Sequence, residues 1–421
     1  MIVIKDIEKF EFDSVNVDPF WNIGNEKEHL MHRIHSYPAK FPAFIASKAF
    51  HFAKERNTKV RKVADIFCGC GTTAFEASKM GIEFWGCDIN PVATMIAKAK
   101  SLSYQSNKIK AYFDKIKEVY SLTESPIRFS AADQRLQYWY HPNQLKDLLR
   151  LKIAIEQVIP PNSRYRLFFL CAFSNILKAA SQWLTKSIKP QLHPQKKPNK
   201  VFSLFAEQYS FMILANEKRE ISTNSKVEIH TGNFLDYTIG IPKVDLIVTS
   251  PPYVNSYEYA DLHQLSTLWL NYANDYRDLR EGSIGSLHHN YNFNSEWKNL
   301  NRVGSKIVSK LIYHKNHQMK SVAKYFLDMQ KVAHRSFEIL KKQGLAFFVI
   351  GNTEYKGVRI DNALHLAESL IDAGFSQVLA SKRKISNKIL TPFRDDRGRF
   401  TTNSEGRKVY NEEFIVIGVK S

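Results

Sequence analysis

Short apolar runs alternate along the chain with longer stretches whose apolar residues recur at helical spacing, and that alternation sets the expected fold. "RKVADIF" (61–67) reads as a buried strand, and "GCGTT" (Gly69 to Thr73) turns it into the helix "AFEASKMG", closed by Gly81. "IEFWGCDI" (82–89) follows as a second strand ending at Asp88. "NPVATMIAKAK" then continues as a helix with Pro91 at an early position, where a missing N–H costs little. Strand, helix, strand in this order is the unit of a parallel sheet.

From 101 to 225 the pattern is mostly helical, with "RYRLFFLCAFSNILKAASQWL" at its apolar centre and "KPQLHPQKKPNK" (Lys189 to Lys200) expected as a mobile basic loop. Strand patterning resumes with "VEIH", "GNF" at Gly232 to Phe234, and "VDLIVTSPPY", after which 254 to 320 reads as irregular. The helix "VAKYFLDMQKVAHRSFEILKKQG" is expected to stop at Gly344 behind two lysines and to lead into the strand "LAFFVIGN". A further helix, "ALHLAESLIDAGF", precedes the strands "QVLASKRKIS" and "EEFIVIGV", which lack a crossover helix between them and should pair antiparallel. The fold class is therefore α/β: a mostly parallel twisted sheet with an antiparallel last strand. Its domain spans 1–100 and 227–421 and is interrupted by a basic helical insertion at 101–226.

Composition narrows the class. With 44% hydrophobic and 24% charged residues, and no apolar run long enough to span a bilayer, the chain reads as an ordinary soluble protein. The start "MIVIKDIEKFEFD" does not look like a secretory leader. Four cysteines (Cys68, Cys70, Cys87, Cys171) are too few and too unevenly placed for a disulfide framework, no Cys/His spacing suggests zinc, and a reducing cytoplasm is the expected home. A net charge of +19 attracts polyanions, and its distribution is uneven. Lys and Arg outnumber Asp and Glu by 17 to 6 over 101–200, whereas over 201–300 they are outnumbered by 12 to 7.

Gly69, Gly71 and Ala74 satisfy a G-x-G-x-x-A fingerprint behind a strand, with the acidic Asp88 about twenty residues on, as dinucleotide sites require. Glycine lets the backbone approach a ligand, and an acid ending the second strand can accept from ribose hydroxyls. On these positions alone a nicotinamide-dependent oxidoreductase, or a purely structural turn, stays open. Asp65 changes the balance, because a carboxylate ahead of the glycines repels a pyrophosphate but suits a ligand carrying an ammonium group, such as S-adenosylmethionine.

"DIFCGCGTT" also resembles the cofactor motif of S-adenosylmethionine-dependent DNA amino-methyltransferases, Asp-x-Phe-x-Gly-x-Gly-Thr-Thr, at every defined position. The resemblance implies a Rossmann-like methyltransferase fold. It places Asp65 and the turn of Gly69, Cys70, Gly71, Thr72 and Thr73 around the methionine moiety and Asp88 on the ribose, with Phe67 and Ile89 also among the cofactor-binding residues. Upstream, "HSYPAKFP" looks like the same family's N-terminal cofactor motif, which implicates His35, Tyr37, Pro38, Lys40 and Phe41. In "TGNF", Asn233 stands where the family carries a residue near the adenine, although a turn-forming asparagine would look the same.

Transfer of a methyl group to an exocyclic base nitrogen meets a chemical obstacle, since that nitrogen's lone pair is delocalised into the ring. Two fixed acceptors that hold the amino protons can turn the lone pair outward as positive charge develops. In "TSPPY", Ser250 Oγ and the carbonyl of Pro251 can be those acceptors. Pro251 and Pro252 stiffen the turn, and Tyr253 offers a face on which an extruded base can stack. The motif resembles the family's catalytic motif in the form more usual among cytosine-N4 enzymes. Carbon-5 methylation needs a cysteine nucleophile, and Cys171 lies instead on an apolar helix.

The leading expectation is a DNA methyltransferase acting on cytosine N4 in double-stranded DNA within restriction-modification, with a cognate endonuclease acting separately. Adenine-N6 methylation, an RNA methyltransferase and a non-catalytic nucleic-acid-binding module are the alternatives. Candidate nucleic-acid surfaces are the insertion, "SLHHNYNFNSEWKNLNR" and "KRKISNKILTPFRDDRGRF". His288 and His289 read as solvated histidines, and no metal site is expected.

Overall fold

The computed structural model describes all residues except 25–26, 39, 125–133, 220–224, 238–239, 255–258, 288–291, 313–315, 356, 386–392, 395–399, 402–406 and 409–411. Its strands are β1 (Ile2–Val3), β2 (Lys62–Asp65), β3 (Glu83–Asp88), β4 (Val227–Thr231), β5 (Val244–Thr249), β6 (Leu340–Ile350), β7 (Thr353–Tyr355), β8 (Val358–Ile360), β9 (Gln377–Lys384), β10 (Phe393–Arg394), β11 (Phe400–Thr401), β12 (Arg407–Lys408) and β13 (Glu412–Val419).

Eight of these form one sheet in the order β1-β9-β13-β6-β5-β2-β3-β4. The run from β4 to β6 is parallel throughout, and β13 lies antiparallel between β6 and β9, pairing Val419 with Gln377 and Glu412 with Lys384. This is the expected Rossmann-like arrangement, with β1 added antiparallel at the edge of β9, a pairing the sequence reading does not anticipate. The strand order reverses where β2 meets β5, which is the place open α/β sheets leave a crevice beyond the strand ends. Every residue of β5 is buried, as a strand covered on both faces requires.

On one face, α1 (Ala43–Glu55) and α2 (Thr72–Lys79) pack on Val63, Leu246, Val248 and Phe347. On the opposite face Ala64, Ile247 and Phe348 form a second core with three helices that follow β5, Arg302–Lys310, Asn316–Ile339 and Asn362–Asp372. After α3 (Pro91–Ser101) come α4 (Ser106–Leu122), α5 (Gln134–Trp139), α6 (Pro142–Val158), α7 (Arg164–Ala180) and α8 (Val201–Glu217), whose apolar faces share a core with Phe75, Val92, Met95 and Ile96 of α2 and α3.

Three sequence expectations need correction. Lys189 to Lys200 is anchored at two points: Trp183 bridges Leu192, and Lys196 Nζ donates to the carbonyls of Lys178 and Trp183, so the Lys196 charge is turned towards backbone. Residues 254–320 contain α9 (Tyr259–Leu262), α10 (Gln264–Trp269), α11 (Phe293–Glu296) and α12 (Arg302–Lys310) before α13 (Asn316–Ile339). Helix α13 ends five residues before Gly344, because Leu340 already pairs with Val244; exposed Lys341 to Gln343 then bulge outward, with Gln343 at φ +61°. The last helix, α14 (Asn362–Asp372), precedes β9 as expected.

One buried side chain ties the insertion to the segment beyond β5. Gln264, wholly buried on α10, accepts from Trp139 Nε1 (2.9 Å) and Arg135 Nε (2.9 Å) and donates to the Asp261 carbonyl. A Gln264→Leu substitution strands both donors. We expect a loss of about 2 kcal/mol, read as a midpoint lower by about 2 °C in thermal melting.

Candidate active site

The C-terminal ends of β2, β3, β4 and β5 open into one cavity, and both sequence motifs border it. The glycine turn contributes Phe67, Cys68, Gly69, Cys70 and Thr72; the end of β3 contributes Asp88, Ile89 and Asn90; the turn after β5 contributes Ser250, Pro252 and Tyr253. Tyr37, Lys40 and Phe41 form part of the wall, as do Asn233 and Phe234. His35, Pro38, Asp65, Gly71, Thr73 and Pro251 lie off the wall.

The residues behind the wall fasten the two turns together. Asp65 has no exposed surface. Its carboxylate accepts from Thr249 Oγ1 (2.6 Å), Thr73 Oγ1 (2.9 Å) and the Phe67 amide (3.2 Å). Thr249 immediately precedes Ser250, so this carboxylate joins the glycine turn to the S-P-P-Y turn. Burial pushes Asp65 up to about 7, against the lowering effect of those three donors. Expected from the motif beside an ammonium group, Asp65 is placed underneath the cavity floor.

Gly69 (φ +47°) and Gly71 (φ +75°) both take left-handed backbone. A Cβ on Gly71 would sit 2.7 Å from that of Ala97, so this glycine lets α2 close on α3. Asp88 accepts from the Gly69 amide (2.9 Å) and the Asn90 amide (2.9 Å), and burial raises it to about 6. Asn90 caps α3 through Oδ1, while its buried Nδ2 has no partner among the described residues. Asn233 bonds to the Leu235 amide and to Asp236, the local pattern of a turn-forming asparagine.

Ser250 Oγ donates to the Val349 carbonyl (3.0 Å) at the neighbouring end of β6. Tyr253 is half-buried, and its hydroxyl donates to Glu413 Oε1 (3.2 Å). Glu413 in turn pairs with buried Arg383, whose Nε and Nη2 both donate to Oε2. Burial, then the Glu413 carboxylate, push the Tyr253 phenol up. Gly351 makes room for this ring: a Cβ there would come within 3.1 Å of it.

Tyr37 closes over Gly69 and stacks on His263 at 4.9 Å. His35 Nδ1 faces the Ser36 carbonyl (3.0 Å) and so carries the proton; its Nε2 accepts from Ser174 of α7, which also bonds Ser266 of α10. His35 thus ties the N-terminal motif to the insertion.

Sequence reasoning misses Asn90, Tyr259, the 282–286 turn, Ser321 and Tyr325, all of which border the cavity. Only the two glycines of "EGSIGS" could have hinted at a turn there. His288, His289 and Asn290 fall outside the described residues, as does most of the late basic loop. Among the described residues no three His, Cys, Asp or Glu side chains gather as a metal site would require, and no helix is long and apolar enough to cross a membrane.

The chain is similar to type II methyltransferases. It is 26% identical over 404 residues to the type II methyltransferase M.MvaI of Kocuria varians, covering 86% of each chain. It is 20% identical over 379 residues to M.BsoBI of Geobacillus stearothermophilus, covering 75% of this chain and 73% of that one. To M.MjaII of Methanocaldococcus jannaschii it is 33% identical over 105 residues, 24% and 19% of the two chains. No family model matches the chain. Solved structures similar in outline include an S-adenosylmethionine-dependent methyltransferase of Methanosarcina mazei (TM-score 0.30, 10% identity, covering 87% of this chain and 96% of that one). Another is the rRNA methyltransferase aviRa of Streptomyces viridochromogenes (TM-score 0.29, 9% identity, covering 92% and 88%). At that distance the fold assignment rests on the strand order itself.

Protonation supplies a test of the buried Asp65. His32 and His35 are lowered to about 4 and His263 and His365 to about 3, all by burial; each therefore stabilises the fold above its unfolded value near 6.5, and that stability is lost as pH falls. Asp65 acts oppositely. Raised to about 7, it binds its proton more tightly folded than unfolded, so acidification from 7 towards 4 relieves a penalty. Melting temperature should fall from pH 6.5 to 4 in the wild type, and fall more steeply in Asp65→Asn relative to that variant's own value at pH 7.

Proposed function

We propose that the chain is a site-specific DNA methyltransferase. In this reading it moves a methyl group from S-adenosylmethionine to the exocyclic N4 amine of cytosine in double-stranded DNA. It would act in the cytoplasm as the modifying partner of a separately acting restriction endonuclease. The observation that carries the reading is the orientation of Ser250 at the edge of a cavity it shares with the glycine turn. By giving its proton to the Val349 carbonyl, Ser250 presents lone pairs to the cavity and serves as an acceptor.

The residues present fit the cofactor. Asp88 has carboxylate lone pairs beyond its two backbone bonds for ribose hydroxyls, and the orphaned Asn90 amide supplies a buried donor on the same wall. Tyr37 and Phe41 offer apolar surface, and the left-handed glycine turn brings backbone to the cavity. Bound there, S-adenosylmethionine supplies an electrophilic methyl group on a positive sulfur.

The protein's own part is positioning. Ser250 Oγ accepts an amino proton of the target base and draws the nitrogen towards tetrahedral geometry; the adjoining proline turn fixes where that acceptor sits. Tyr253, clamped through Glu413 and Arg383, presents a flat face to an extruded base. The serine preceding Pro-Pro-Tyr supports cytosine N4 over adenine N6, the excess of 60 basic over 41 acidic residues supports a nucleic-acid substrate, and the similarity to enzymes named type II methyltransferases supports the restriction-modification setting.

Two measurements test the proposal. Incubation with unmethylated genomic DNA and labelled cofactor, followed by nucleoside mass spectrometry, should yield N4-methylcytosine; N6-methyladenine would overturn the choice of base, and label in RNA alone the choice of substrate. Ser250→Ala should lower turnover by roughly 100-fold, the scale of losing one transition-state hydrogen bond, with cofactor affinity within about twofold of wild type by titration calorimetry.

A further inference from the structure

One part of the cavity wall belongs to neither motif. Helix α13 presents Ser321, Tyr325 and Asp328 at positions i, i+4 and i+7, one face of a helix, towards the turn at Gly282 to Ser286. Ser321 Oγ donates to the Gly285 carbonyl (3.3 Å), and Asp328 Oδ2 accepts from the Gly285 amide (3.0 Å). Gly285 is at φ +75°, and a Cβ on it would lie 2.9 Å from that of Tyr325. The turn is therefore fitted onto the helix at Tyr325, and both border the cavity that contains Ser250 and Asp88.

Tyr325 is 3% exposed, and its hydroxyl, shielded from solvent, has no hydrogen-bond partner among the described residues. Such a group normally costs free energy unless something accepts its proton. Burial pushes the phenol up, so it keeps that proton to donate. The apolar lining of the cavity it borders, which includes Phe234, Val254, Ile284 and Tyr253, suits a planar ring better than a carboxylate.

We infer that the Tyr325 hydroxyl donates to a ring-nitrogen or carbonyl acceptor on the edge of a nucleobase held in this cavity, making it a further binding residue beside the 282–286 turn. The inference rests on the methyltransferase reading, which brings two such rings to the cavity: the cofactor's adenine and the extruded target base.

Tyr325→Phe in the full chain tests it, because the ring and its packing stay while the donor goes. Loss of one donor to a buried acceptor predicts a roughly tenfold effect. A tenfold weaker S-adenosylmethionine affinity by calorimetry, without DNA, assigns the acceptor to adenine. Unchanged cofactor affinity with a tenfold lower kcat/KM for unmethylated duplex DNA, at saturating cofactor, assigns it to the target base. Either result is expected beside a ligand-free melting temperature equal to or above wild type, since an orphaned hydroxyl has been removed. Both constants within twofold of wild type would overturn the inference, as would a lower ligand-free melting temperature with both constants unchanged, which marks the hydroxyl as structural. A wild-type protein that neither binds the cofactor nor methylates DNA would sink the enzymatic reading itself, an outcome distinct from an active wild type beside an indistinguishable variant.

Discussion

A carboxylate with no exposed surface holds the two working turns of this molecule in register. Asp65 ends β2, Thr249 ends β5, and the 2.6 Å bond between them fixes the distance between the glycine turn and the S-P-P-Y turn. Burying a carboxylate is costly unless donors surround it. Here two hydroxyls and an amide supply hydrogen bonds without supplying a positive charge, which is why the acid's affinity for its proton stays raised. A lysine or arginine in their place would have lowered it. Hydroxyl donors give the same geometry while keeping a second cation away from a cavity read as receiving a sulfonium.

The same economy recurs around the S-P-P-Y turn. Ser250 is oriented by a backbone carbonyl of β6, and Tyr253 by Glu413 of β13, which Arg383 of β9 holds in place. Three neighbouring strands of one sheet therefore set the positions of two side chains from a fourth. The antiparallel insertion of β13 between β6 and β9 is what brings Glu413 and Arg383 opposite one another in register. Sheet topology here acts directly on the site, since a register slip by one residue would send both side chains to the opposite face.

The alternation of apolar runs is enough to read most of the sheet, because strands covered on both faces are continuous in sequence and differ visibly from helices. The same logic explains the misses. Edge strand β1 is two exposed residues whose pairing is decided by what lies beside β9, a fact of tertiary structure alone. The end of α13 is set by a bridge from Leu340 to Val244, which overrides the glycine stop signal four residues later. Basic 189–200 looks like a solvated loop until Lys196 is seen to cap the carbonyls of Lys178 and Trp183. At the site, the two motifs are local in sequence and so readable. Asn90, the 282–286 turn and Tyr325 reach the cavity only through folding, and no spacing rule connects them.

That difference also bears on what kind of specificity each part can carry. In the proposed role Ser250 is a neutral acceptor, so it would gain little from long-range attraction and depend on being held at one place and angle; the Asp65–Thr249 bond, the Val349 carbonyl and the proline turn act on that placement. A neutral acceptor alone discriminates poorly among exocyclic amines, each of which offers the same protons. Discrimination must come from the rest of the ring's edge, where bases differ in their donors and acceptors. A shielded hydroxyl with its proton uncommitted, on a helix face against which a turn outside both motifs is shaped, is the kind of group that can read such a difference, because a base lacking the matching acceptor would leave it unpaired.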